Sequence, residues 1–68
     1  MIEINVSSGI LKEISYHGRI MYVKLKDGRM LSYNSVPEEV FNEFAKTSEH
    51  DEFYKSRIIP AFSFRRMA

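Results

Sequence analysis

Two runs of alternating apolar and polar residues meet at Asp27-Gly28, and this junction constrains the chain more than any other feature of its sequence. From Ile20 to Lys26, Met21, Val23 and Leu25 fall on one side and Tyr22, Lys24 and Lys26 on the other. That period of two belongs to an antiparallel strand with one face buried and one wet. From Arg29 to Asn34, Leu31 and Tyr33 alternate with Met30 and Ser32 in the same way. An Asp-Gly pair between two such runs is the strongest short-range hairpin signal, because Gly supplies a positive φ without steric cost. A third run precedes the hairpin, with Lys12, Ile14 and Tyr16 on one side and Leu11, Glu13 and Ser15 on the other; His17-Gly18-Arg19 supplies the turn between them.

Beyond Asn34 the period changes. Pro37 suits the first turn of a helix, where its missing N–H costs nothing and its fixed φ is already helical. Glu38 and Glu39 follow where carboxylates favour the positive end of the helix dipole. Val40, Phe41, Phe44 and Ala45 form an apolar helical stripe that predicts docking on the sheet. Ser48 with Asp51 imitates a capping box and starts a second helix, which Phe53, Tyr54, Arg57 and Ile58 continue until Pro60. Ala61-Phe62-Ser63-Phe64 alternates and predicts an extended tail laid against the domain. The predicted fold is α+β in β-β-β-α-α order: a three-stranded antiparallel sheet, two short helices packed on one face, and an extended C-terminal tail. Residues 1–68 are expected to form a single domain.

A chain of 68 residues supports one small core. It has no cysteine, so disulfides and thiolate metal sites are excluded, and close local packing or self-association must supply the remaining stability. The stretch MIEINVSSGILKEISY has neither a basic segment nor an uninterrupted apolar one, so it reads as neither signal peptide nor membrane span, and the expected location is cytoplasmic. The net charge of +1 is uninformative, but its distribution is segregated. Acids cluster between Glu38 and Glu52, and Lys55, Arg57, Arg65 and Arg66 then follow with no acid among them.

The order of motifs resembles the KTSC domain family. The residues that carry the resemblance are Val6-Ser7-Ser8, Ile14 and Tyr16, the hairpin, Tyr33 followed by Val36-Pro37, Ser48 leading to Phe53-Tyr54 and Ile58, and Phe62, Phe64, Arg65 and Arg66. It covers the chain from about Val6 to Arg66. The family is named for the C-terminal extension of some lysyl-tRNA synthetases, and it occurs also as stand-alone short proteins of bacteria and their phages. The resemblance therefore implies a stand-alone, phage or bacterial binding domain, with RNA as the suggested ligand. Against the family pattern this sequence has Leu31 where a first tyrosine is usual, Lys55 where an asparagine is usual, and Phe62 and Phe64 in place of tyrosines near the end.

Ser7 or Ser8, His17 and Asp27 include the residue types of a hydrolase triad, but neither nucleophile-elbow spacing nor a glycine-rich oxyanion loop accompanies them. No enzyme activity is expected. His17 and His50 lack a third ligand, so no metal or cofactor is expected either. Tyr22 shares its side of the strand with Lys24 and Lys26, and with Arg29 these form one candidate nucleic-acid-binding group; Tyr16 and Tyr33 are expected against the helices. Lys55, Arg57, Arg65 and Arg66 form a second candidate group, although Arg65 and Arg66 could equally neutralise the acidic segment. The expected function is a small non-catalytic binding module for RNA. The alternatives are a protein-interaction or self-associating module, and a small-ligand or nucleotide binder whose site forms between subunits. A homo-oligomer is compatible with each, and no membrane partner is expected.

Overall fold

In the computed structural model, which describes residues 2–6 and 8–67, five strands form one antiparallel sheet in sequential order. They are β1, Ile2–Asn5; β2, Leu11–His17; β3, Ile20–Leu25; β4, Met30–Tyr33; and β5, Phe64–Arg66. Between β4 and β5 lie α1, Glu38–Lys46, and α2, His50–Phe53, which runs on into a π-helical turn over Tyr54–Ile58. The α+β class and the two helices agree with the sequence reading, but the sheet has five strands and not three. The two added strands are the edges. β1 pairs Ile2 with Tyr16 and Ile4 with Ile14, and the predicted tail becomes β5, pairing Tyr33 with Phe64 and Leu31 with Arg66. Strands of three and four residues carry too little alternation to be seen alone.

Both predicted turns form. At Gly18 and Arg19 the φ angles are +56° and +66°, the left-handed pair that a two-residue type I′ hairpin requires. Arg19 is held there by its carbonyl, which accepts the Val36 N–H at 2.9 Å. At the second turn Gly28 takes φ +99°, the Leu25 N–H donates to the Arg29 carbonyl at 2.9 Å, and the Asp27 carboxylate accepts the Arg29 N–H at 2.9 Å.

The core lies between one face of the sheet and the helices. Met21, Val23, Leu31 and Tyr33 meet Phe41, Phe44, Tyr54 and Ile58 there, as the alternation predicts. Tyr16 stacks on Phe41 with ring centroids 4.9 Å apart, and its hydroxyl donates to the Val36 carbonyl at 2.5 Å. Leu11 departs from its predicted side: a register shift between Leu11 and Glu13 turns it inward to complete burial, because an inserted residue reverses strand parity. Pro37 is not in the first turn of α1. It stands at the N-cap in extended conformation, ψ 146°, with Glu38 the first helical residue. Ser48 and Asp51 make no capping box either, since Glu49 is the N-cap of α2 and bears no side-chain cap. Among the described residues no helix is long and apolar enough to cross a membrane.

Candidate ligand cleft

The helices cover the sheet unevenly. Where the β3–β4 turn, β4 and β5 approach the π-helical turn, they leave a cleft of about 650 Å³. Its floor is apolar, with the buried Leu25, Leu31, Tyr33 and Tyr54, and the more exposed Ile59 and Phe64 stand at its mouth. Its rim carries Lys26, Arg29, Lys55 and Arg66, with Asp27 beside them. Three separate stretches of chain thus deliver four cations to one opening.

The floor is held by a tyrosine pair. The Tyr33 and Tyr54 hydroxyls share a hydrogen bond of 2.6 Å, and their rings meet edge to face with centroids 6.0 Å apart. Burial pushes both phenols above the ordinary tyrosine range, so both remain protonated at neutral pH. Phe64 leans on Tyr33 with centroids 5.8 Å apart yet is 57% exposed, so one aromatic face stands open at the mouth. At the rim, Asp27 accepts both the backbone N–H and the Nε of Arg29, the latter at 2.7 Å. The Arg29 backbone bond, helped by its guanidinium and by the charge of Arg66, holds the Asp27 carboxyl below the ordinary range. This clamp fixes Arg29 at the opening.

The far wall, Gly9 and Ile10, is tied to α2 by Asp51. The Asp51 carboxylate accepts the Ser8 hydroxyl at 2.6 Å, the Gly9 N–H at 3.0 Å and the Ile10 N–H at 3.3 Å. These bonds, the Ser8 hydroxyl first, keep the Asp51 carboxyl below the ordinary range. The Ile10 carbonyl in turn accepts the Lys26 N–H at 3.0 Å, closing the wall onto the hairpin. Gly9 is required for this approach: a Cβ there would lie 2.6 Å from Asp51 Oδ2.

The candidate nucleic-acid residues therefore divide among three places. Lys26, Arg29, Lys55 and Arg66 meet at the cleft. Tyr22 and Lys24 lie half-buried on the opposite face of the sheet, and Arg65, paired in register with Ser32, shares that face. Arg57 stands apart, 5.1 Å above the Phe53 ring and 3.6 Å from Glu43, and so meets the acidic segment. Lys26 leaves the side it shared with Tyr22 because β3 ends at Leu25 and the turn swings it toward the cleft. Of the motif residues, Tyr16 and Val36 are joined by their hydrogen bond, Pro37 caps α1, Phe53 stacks on Phe44 at 5.3 Å, Ile58 is fully buried and Phe62 packs against the core. Leu31, Lys55 and Phe64, three of the departures from the family pattern, all line the cleft. Ile59, 47% exposed, carries no signal in the sequence beyond its place just before Pro60. Of the imagined triad, Ser7 lies outside the described residues, Ser8 is engaged by Asp51, and His17 and Asp27 lie at opposite ends of β3. Among the described residues no three His, Asp or Glu side chains gather as a metal would require.

The arrangement defines a small α+β domain: an open antiparallel meander, helices on one face, and a basic-rimmed apolar cleft at their margin. The chain belongs to the KTSC domain family, whose model matches residues 7–62. Its fold is similar to the crystal structure of a KTSC domain protein from Yersinia pestis, with a TM-score of 0.88 at 23% identity, over 97% of this chain and 96% of that one. No curated protein matches the sequence.

Proposed function

We propose that this chain is a non-catalytic binding module whose cleft takes a segment of unpaired RNA. The observation that carries this reading is the convergence of Lys26, Arg29, Lys55 and Arg66 on the mouth of one apolar cleft. Phosphates would meet the rim cations, which outweigh Asp27 in charge, and a base would lie against the open face of Phe64 beside Ile59. Unpaired RNA is favoured over duplex because stacking needs a base free of its own helix, and the cleft offers one aromatic face and not a long groove. The engagement of Ser8 by Asp51 and the separation of His17 from Asp27 support a role without catalysis. A cytoplasmic setting suits the reading, since that is where a cysteine-free chain would meet such a ligand.

The test is an amide NMR titration with a short unpaired RNA and with a folded RNA hairpin, at low and at physiological salt. Shifts should concentrate around Lys26, Arg29, Lys55, Phe64 and Arg66. Affinity should fall with salt, with a log–log slope of about −0.7 per phosphate contacted. A Lys55→Glu/Arg66→Glu variant should lose binding while keeping its circular dichroism. Absence of shifts with either RNA, or shifts confined to the opposite face of the sheet, would overturn the proposal.

A further inference from the structure

The helices and the cleft occupy one side of the sheet, and among the described residues no helix covers the other side. Its central row runs straight across all five strands: Glu3 pairs with Ser15, Ser15 with Tyr22, Tyr22 with Ser32, and Ser32 with Arg65. Directly opposed residues in antiparallel strands project to the same face. The row therefore reads acid, serine, tyrosine, serine, cation. Read from the other end it is its own complement.

We infer that this face is the interface for a second copy of the chain, related by a two-fold axis parallel to the strands and passing over Tyr22. Such an axis reverses the strand order of the second sheet, so β1 lies over the partner's β5 and β3 over its own counterpart. Glu3 then faces the second copy's Arg65, Arg65 faces its Glu3, Ser15 faces Ser32, and the two Tyr22 rings meet at the centre. Charge complementarity is thus supplied twice by one operation. The shape agrees with this occupant. Ser15 and Ser32 are only 9% and 8% exposed, so the inner row is low. Glu3, Glu13, Tyr22, Lys24, Met30 and Met67 stand around a shallow depression of about 430 Å³. Sheets stacked face to face pack about 10 Å apart with interdigitated side chains, which the Tyr22 and Met30 side chains are long enough to reach. Met67, 54% exposed, adds apolar surface at the β5 edge. One row away Lys24 falls on the axis, but Glu13 of its own chain stands directly opposite it across the β2–β3 pair and offsets its charge. Small domains without disulfides commonly complete their stability through such a partner.

Sedimentation of the purified 8.0 kDa chain over a micromolar to millimolar series should show a monomer–dimer equilibrium. Arg65→Glu alone places Glu against Glu3 twice, and Glu3→Arg alone places Arg against Arg65 twice; each should weaken the dimer by about tenfold or more. An equimolar mixture of the two variants should recover it, because both contacts are then opposite in sign, and this recovery also shows that both chains are folded. A wild-type chain that stays monomeric throughout, variants that dimerise as the wild type does, or a mixture that fails to recover would each overturn the inference.

Discussion

The hydroxyls of Tyr33 and Tyr54 show how much a single atom does in so small a core. Each is the other's hydrogen-bond partner at 2.6 Å, and both residues are nearly inaccessible, at 1% and 3% exposed. Removing one leaves the other buried without its bond, a loss of about 1–2 kcal/mol. Tyr33→Phe and Tyr54→Phe should each show that loss in urea unfolding. The double variant should cost clearly less than their sum, since both changes delete the same bond. The pH dependence has a definite sign. Both folded phenols are raised above the ordinary value of 10.0, so their contribution is fully present below that value and is lost as the pH rises through the folded values. The wild type should therefore lose stability in alkali above about pH 10 more steeply than the double phenylalanine variant.

At the scale of elements, the structure depends on a carboxylate that joins a loop to a helix. Asp51 gathers Ser8, Gly9 and Ile10 onto α2 and so builds one wall of the cleft. Its folded pKa is depressed, so the stabilisation is present above the unfolded value and is lost as the pH falls through the folded one. Urea midpoints measured down a pH series should drop below about pH 4 in the wild type; Asp51→Asn should be less stable at neutral pH and lack much of that acid step. Gly9→Ala should weaken the same wall, because its Cβ would displace the carboxylate.

How far these elements are legible depends on the range of the forces that form them. The β3–β4 hairpin is written locally, in Asp27-Gly28 and the alternation around it, and α1 in its stripe of Phe41 and Phe44. Asp51 reads locally as half of a capping box with Ser48, but its carboxylate finds better donors in residues more than forty positions away, which no local pattern encodes. Leu11 misleads because a single inserted residue in β2 reverses everything before it. The cleft was half legible: the cations were visible as types. That Arg66 joins Lys26, Arg29 and Lys55 at the cleft while Arg65 points away follows only from the pairing of β5 with β4, which sets the faces of neighbouring arginines apart.

For the molecule as a whole, the sheet follows chain order, and this has a kinetic meaning. Three of its four strand pairings close over short connections, whereas β4 and β5 are separated by the entire helical segment. The loop-closure cost of that last pairing is the largest, and only three residues repay it. β5 should thus be the last strand to settle and the first to leave. Native-state hydrogen exchange should find the Met67 amide, bonded to the Met30 carbonyl, and the Asn34 amide, bonded to that of Ser63, exchanging far faster than the amides of β3. Equal protection would mean the sheet opens only as a unit. Because Phe64 and Arg66 belong to both β5 and the cleft mouth, the fraction of time that β5 is seated multiplies the apparent affinity for anything the cleft holds. A substitution that merely seats β5 more firmly would tighten binding without touching the ligand, and a bound ligand would slow exchange at an edge it need not contact.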